Sequence, residues 1–341
     1  MSHESAPSTM RAAVITRPGG PEVLEIQERP TPAPANNEVL IHARASALNR
    51  ADLLQREGHY PAPPGAPADI PGMEFAGEIA ALGRGVTQWR LGDRVFGIVG
   101  GGGNGEYLVT DAATVARVPN GLSWTDAAAI PEAFITAHDA LVTQAAVRAG
   151  ESVLIHAVGS GVGLASVQLA RAWNAIPYGT ARTASKIERA REYGLADGVV
   201  VGDDVAVIVP AAQRWTAGKG IDVTMDLVAG AYVAAEIQAA AKRGRIMLIG
   251  TVAGRTATIP VGMVLGKRLT MRGTVLRARS LEEKREVTAA FARDVVPLFE
   301  SGALRPTIDR VFALAEIGAA HSRLAGNETF GKVVLDHLGA Q

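Results

Sequence analysis

The chain changes its hydrophobic rhythm partway along. Residues 10–130 carry short β-prone runs: AAVIT, VLEIQE, EVLIHARASAL, GEIAAL, DRVFGIV and EYLVT. Turn-forming stretches separate them, including PGG at 18–20 and PTPAPANNE at 30–38. Short strands punctuated by Gly and Pro predict an antiparallel, barrel-like β domain. From about residue 133 a helical spacing runs through AFITAHDALVTQAAV, and apolar strands then alternate with helices: SVLIHA, LASVQLARAW, AIPYGT, SKIERAREYGL, GVVV, VTMDLV, AAEIQAAA, RIMLIG, LTMRGTVL. Alternation of this kind predicts a parallel, doubly wound sheet. The tail from residue 281 reads as one long helix, LEEKREVTAAFARDVVPLFE, followed by a short helix and a strand in GKVVLDHL. It is expected to return to the first domain.

Composition narrows the chemistry. The 341 residues suffice for two domains, and 48% hydrophobic residues can fill their cores. Lys+Arg and Asp+Glu are both 34, a formal net charge of zero. Such balance argues against nucleic acid or an anionic membrane as partner. Without cysteine there are no disulfides, thiolate metal sites or cysteine nucleophiles, and the seven histidines do not cluster in the sequence. No apolar run approaches the ~20 residues of a membrane span. The polar opening MSHESAPST lacks a signal-peptide core and reads as a short leader, so a cytoplasmic location is expected.

One loop stands out. HAVGSGVG, residues 156–163, joins an apolar strand to an amphipathic helix. A strand, a tight glycine turn and a helix N-terminus aim backbone N–H groups and a positive dipole end at a pyrophosphate. Gly159, Ser160, Gly161, Val162 and Gly163 are the candidate contacts. The match to G-x-G-x-x-G is imperfect: with Gly163 as its last glycine, Val158 and Ser160 fill the first two glycine places. A plain strand–helix turn is the alternative. An NAD site carries an acidic residue ~20 positions on, for the ribose 2′-hydroxyl. Between Ser152 and Ile187 there is no Asp or Glu, and the next strand runs into Arg182-Thr183-Ala184-Ser185-Lys186. Arg182, Thr183 and Lys186 suit a 2′-phosphate, which predicts NADPH over NADH. The alternative is an ordinary solvated helix start.

Six stretches carry a resemblance to a known family: RPGGPEVLEI (17–26), SALNRADLLQREGHYPAPPGA (46–66), IPGMEFAGEIAALG (70–83), AAAIPEAFITAHDAL (127–141), HAVGSGVG and GKVVL (331–335). Together they resemble the zinc-free quinone oxidoreductase group of medium-chain dehydrogenases/reductases, and are especially similar to its tumour-suppressor-inducible NADPH quinone oxidoreductase subgroup. The resemblance implies an α/β fold. A GroES-like β-barrel domain would span residues 1–131 and 279–341, and a Rossmann domain residues 132–278. Zinc-dependent members use a Cys and the His of a P-G-H-E motif. Here Met73 stands in Pro71-Gly72-Met73-Glu74 and Asn49 lies near the place of the Cys, so no catalytic zinc is expected.

Without a Lewis acid the acceptor is expected to be electrophilic already, a quinone (an ortho-quinone above all) or a conjugated enone. By resemblance, Asn49 and Asp52 face the nicotinamide end of the site and Tyr60 borders the acceptor, as proton donor or stacking platform. The plainer readings are that Asp52 caps the run LLQRE and that Tyr60 packs a proline loop. Position in the family further suggests cofactor contacts at Thr136, Gly250, Thr251, Leu276, Arg277 and Asn327. His156 reads as a hydrogen-bonded core histidine. The rival functions are an enone or enoyl-thioester reductase and an NADPH-binding module with little turnover. The edge strand LTMRGTVL suggests a homodimer.

Overall fold

The computed structural model describes residues 6–338. It divides into two compact units: residues up to Ile135 together with those from Leu276 onward, and Thr136–Val275. Thr136 thus falls in the second unit, and Leu276 and Arg277 in the first.

In the first unit, β1 (Thr9–Ile15) pairs antiparallel with β2 (Leu24–Pro30). A larger sheet uses β3 (Glu38–Leu48), β4 (Glu74–Leu82), β5 (Arg94–Ile98), β6 (Tyr107–Asp111) and β7 (Val115–Arg117). In the second unit, β8 (Ser152–Ile155), β9 (Ile176–Ala181), β10 (Asp197–Val200), β11 (Ile221–Asp226), β12 (Ala240–Leu248) and β13 (Thr270–Gly273) form one parallel sheet, in the order β10-β9-β8-β11-β12-β13. The chain then supplies β14 (Ile308–Ala313) and β15 (Lys332–Asp336), which extend the first sheet as β14-β15-β3-β4-β5-β7, with β6 also on β3. These are the barrel-like antiparallel plan and the doubly wound parallel sheet that the hydrophobic rhythm predicts.

The pleat explains the first core. Val39, Ile41 and Ala43 alternate along β3 and meet Phe75, Ile79, Val95 and Leu108 in a buried cluster. In the second unit the whole of β8, SVLI, is buried, as expected for a central strand covered on both faces. The strand order reverses between β8 and β11, so their C-terminal ends flank the crevice where open α/β sheets bind ligands.

Three local expectations need correction. LEEKREVTAAFARDVVPLFE is two helices, Leu281–Asp294 and Val296–Glu300, because Pro297 cannot donate to the preceding turn. The helical run after Ile130 keeps α geometry only over Pro131–His138 and widens into a π-helix over Asp139–Gln144. Helices Ile208–Trp215 and Val261–Lys267 form where the sequence pattern predicts none: Pro210 breaks the first pattern and the glycines Gly262 and Gly266 blur the second.

Candidate cofactor loop and polar site

The glycine loop begins where β8 ends. His156 donates its backbone N–H to Met225 of β11 (3.1 Å), and Ala157 then takes φ +50°, a conformation costly for a residue with a Cβ. Ser160 is the N-cap of helix Gly161–Ala172, and its hydroxyl accepts the Gly163 N–H at 3.1 Å. Gly161 and Val162 occupy the first helical positions, whose amides have no acceptor within the helix. A Cβ on Gly163 would sit 2.4 Å from the Ala157 carbonyl oxygen, so only glycine lets helix and strand approach this closely.

Val158, the departure from the usual pattern, is explained by β9. Val158 is fully buried, and its Cγ1 lies 2.1 Å from where a Cβ would stand on Gly179. The glycine missing from the loop has a counterpart on the neighbouring strand, and the valine fills the space. The loop also has a cationic cover. A Cβ on Gly159 would meet the Lys186 Cδ at 2.9 Å, so the lysine stem lies across the loop. Arg182 and Thr183 are exposed at the end of β9, and Thr183 is the N-cap of helix Ala184–Arg191. The Thr183 and Ser185 hydroxyls stand 3.1 Å apart. Two cations and two hydroxyls are therefore gathered beside the helix N-terminus.

Farther along the same sheet edge, Gly250 and Thr251 follow β12. They line a cavity of about 560 Å³ with Ala229, Arg255, Thr274 and Val275. Thr136 is buried on helix Pro131–His138.

The first unit assembles a second polar group. Asn49 is the N-cap of helix Arg50–Arg56, and Asp52 completes a capping box. Asp52 Oδ2 accepts the Asn49 N–H at 2.7 Å and Oδ1 accepts the Gly72 N–H at 3.1 Å. Burial pushes the Asp52 carboxyl up to about 6, against these N–H bonds and the charges of Lys332 and Arg277. The Asn49 amide is engaged at both ends: Nδ2 donates to Glu74 Oε1 (2.8 Å), and Oδ1 accepts from Lys332 Nζ (2.6 Å). Lys332 also donates to the Leu48 carbonyl (2.9 Å) and pairs with Glu74 Oε1 (2.7 Å), while Glu74 Oε2 accepts the Glu132 N–H (2.8 Å). Tyr60 is half-buried, with the Arg277 guanidinium 5.0 Å from its ring centre. Arg277 itself donates to the Gly100 carbonyl (2.8 Å) and to Gln55 Oε1 (2.5 Å). Leu276 is buried, and Asn327, at φ +60°, accepts from Arg50.

Lys332, Glu74 and Gln55 therefore organise this group; Glu74 lies in the Pro71-Gly72-Met73-Glu74 motif, whereas the sequence pattern gives Lys332 and Gln55 no role. The available signal was a lysine inside the apolar strand GKVVL. Their chemistry also tests for zinc. Asn49 and Glu74 share their oxygens with an ammonium already buried among them, and Met73 supplies a thioether where an imidazole would be needed. The set does not fit a zinc ion. Among the described residues, no three His, Asp or Glu side chains come together as metal ligands, and no helix is long and apolar enough to cross a membrane.

Comparison with known proteins agrees with both halves of this description. Residues 35–120 match the alcohol dehydrogenase GroES-like domain family and residues 161–293 the zinc-binding dehydrogenase family. The chain is 33% identical to a quinone oxidoreductase of Lama guanicoe over 331 residues, covering 96% of this chain and 97% of that one. Among solved structures it is similar to mycobacterial Rv1454c in complex with NADPH (TM-score 0.83, 26% identity, 96% of this chain and 99% of that one). It is equally similar to the CurK enoyl reductase (TM-score 0.84, 27% identity, 97% and 99%). A GroES-like unit and a parallel-sheet dinucleotide unit, matched over nearly their whole length by quinone oxidoreductases, show that the chain belongs to the medium-chain dehydrogenase/reductase superfamily of oxidoreductases.

Proposed function

We propose that the protein is an NADPH-dependent quinone reductase working without metal. The observation that carries this reading is the end of β9: Arg182, Thr183 and Lys186 stand there, and no carboxylate occurs between Ser152 and Ile187 to repel a 2′-phosphate. The resemblance to an NADPH-bound relative supports the same cofactor. Gly159, Ser160, Gly161, Val162 and Gly163 would bind the pyrophosphate, with Lys186 and Arg182 on the adenosine phosphate. Thr136, Gly250 and Thr251 are assigned to the nicotinamide side. Leu276, Arg277 and Asn327 are assigned to ordering the first unit's own loops, through the Arg277 bonds to Gly100 and Gln55 and the Arg50 bond to Asn327.

A reduced nicotinamide supplies hydride. The residues in the zinc position do not fit a metal, and the one ammonium among them, Lys332, is engaged by Asn49, Glu74 and the Leu48 carbonyl, so the acceptor must be electrophilic by itself, which favours quinones, ortho-quinones among them. Asn49 and Asp52 would act by fixing the backbone of the acceptor-side loop, since their polar atoms are already bonded. Tyr60 would stack on a flat acceptor or deliver a proton to its oxygen. Resemblance to an enoyl reductase gives the second reading, a conjugated enoyl acceptor.

The decisive assay follows NADPH absorbance with phenanthrenequinone, in parallel with NADH and a short enoyl thioester. Rapid NADPH loss with the quinone alone is expected. Turnover of the thioester alone would select the second reading, and tight NADPH binding with no acceptor consumed would make the protein a binding module. The Arg182→Ala, Lys186→Ala variant should lose its preference for NADPH over NADH.

We further propose a homodimer through the free edge of β13. Val252, Val261, Leu265 and Val275 of the second unit are all more than half exposed, and a second copy would cover both edge and patch. A sedimentation mass of one chain at micromolar concentration would rule it out.

A further inference from the structure

A cluster of three titratable side chains lies directly beneath the glycine loop. His156 (end of β8), Asp226 (end of β11) and Glu236 (helix Tyr232–Ala239) are each completely buried. His156 Nδ1 stands 2.8 Å from the Thr180 hydroxyl of β9, and Nε2 stands 3.0 Å from Glu236 Oε1. Asp226 Oδ1 accepts the Val228 and Ala229 N–H groups at 2.8 and 2.7 Å. Among the described residues, Asp226 Oδ2, both Glu236 carboxyl oxygens and His156 Nε2 have no hydrogen-bond partner, and the two carboxyls act directly on one another. The other ionisable group against the ring is Tyr232, edge-on at 4.9 Å, and Arg182 acts on that phenol. No Lys or Arg bonds either carboxyl among the described residues.

Two buried carboxylates without a cation cannot both ionise near neutral pH. One proton held between them links the two carboxyls, whose facing oxygens have no other donor among the described residues. A protonated Glu236 can donate to Asp226 and the Thr180 hydroxyl to His156 Nδ1, while His156 Nε2 and Glu236 Oε1 stand 3.0 Å apart without a hydrogen bond between them. Burial agrees with this order, pushing Glu236 up to about 8 and His156 down to about 4, with Asp226 at about 6. The cluster also holds the loop. The next residue, Ala157, carries the positive φ, and Val158 donates its N–H to the Thr180 carbonyl at 3.0 Å.

We propose that Glu236 is a positioning residue for the dinucleotide: the proton it shares with Asp226 fixes the His156 ring and the loop above it, and losing that proton places a second buried negative charge under the cofactor's phosphates. Cofactor affinity is thereby linked to protonation. This rests on the reading of the loop as a dinucleotide site.

The test compares NADPH and NADH dissociation constants from pH 7 to 9.5 in the wild type and in Glu236→Gln. The carboxamide is neutral like the protonated acid and can donate to Asp226 in its place. In the wild type, NADPH affinity should fall on the order of tenfold, the size of one added like charge acting through an effective dielectric near 20. In Glu236→Gln the affinity at pH 7 should stay within about twofold and the alkaline fall should vanish. The ¹⁵N signals of the His156 ring, recorded without cofactor, should shift with the same alkaline midpoint in the wild type and stay fixed in the variant. Equal alkaline falls in both proteins, or a ring signal that does not titrate in the wild type, would overturn the proposal. A wild type that binds neither nucleotide at any pH would overturn the dinucleotide reading first, and the link to it as a consequence.

Discussion

Exchanging bulk between Val158 and Gly179 tests the physical account of the cofactor loop. In Gly179→Ala the new methyl carbon would begin 2.1 Å from Val158 Cγ1 and 3.1 Å from Leu195 Cδ1, with the Ile155 carbonyl oxygen at 3.3 Å. Neither Val158 nor Leu195 can withdraw into solvent, since both are buried. Overpacking of this kind costs about 1–3 kcal/mol. Val158→Ala alone deletes two buried methyl groups and should cost about 2 kcal/mol, from roughly 0.8 kcal/mol per buried carbon plus a residual cavity. The double variant restores the space the alanine needs, so it should be no less stable than Val158→Ala alone. The coupling energy of the cycle should reach about 2 kcal/mol in favour of the pair. Urea unfolding of all four proteins gives the cycle, with midpoints compared at constant slope. Because Gly179→Ala pushes on the loop, it should also weaken NADPH binding, and the second substitution should recover that loss. Additive effects within about 0.5 kcal/mol would refute the claim that Val158 occupies the volume left by Gly179.

Other consequences can be checked by similar means. Lys332→Met strands Glu74 as a buried, uncompensated carboxylate and should destabilise the protein by about 3–5 kcal/mol in urea unfolding, whereas Lys332→Met with Glu74→Gln should recover much of the loss. For Glu236 the folded value (about 8) lies above the ordinary 4.5, so its contribution is present at low pH and is lost as pH rises toward 8, on the order of several kcal/mol. His156 has the opposite sign. Its folded value of about 4 lies below 6.5, so stability falls as pH drops from 6.5 through 4. Asp226, raised from 3.8 to about 6, loses its contribution as pH rises between those values and offsets the His156 gain, so above pH 6.5 Glu236 acts alone: denaturation midpoints should fall from pH 6.5 toward 8, and Glu236→Gln should remove that fall. Tyr60→Phe should slow quinone turnover if the hydroxyl delivers a proton, and should leave kcat unchanged if the ring only stacks.

The order of elements was legible because it depends on local pattern. Period-two runs broken by Gly and Pro announced the β unit, and apolar strands alternating with helical repeats announced the parallel sheet. The strand, glycine turn and helix start around residues 155–163 were legible too, because one short segment contains them. What sequence could not supply were contacts made across the fold. Val158 looked like a fault in the glycine pattern until β9 brought Gly179 against it from 21 positions away. The local pattern allowed Asp52 a place as a helix cap, which the structure shows, but gave no partner for Asn49. Tertiary pairing spent their hydrogen bonds on Lys332, Glu74 and Gly72, up to 283 positions distant. Glu236 showed nothing in its helix beyond an ordinary polar position, and only the packing of that helix over β8 and β11 buried it against Asp226 and His156. Secondary structure follows from short-range sterics and periodicity, which one stretch of sequence contains. The protonation, partners and orientation of a buried polar group depend on which distant groups share its volume, and the folded chain alone decides that.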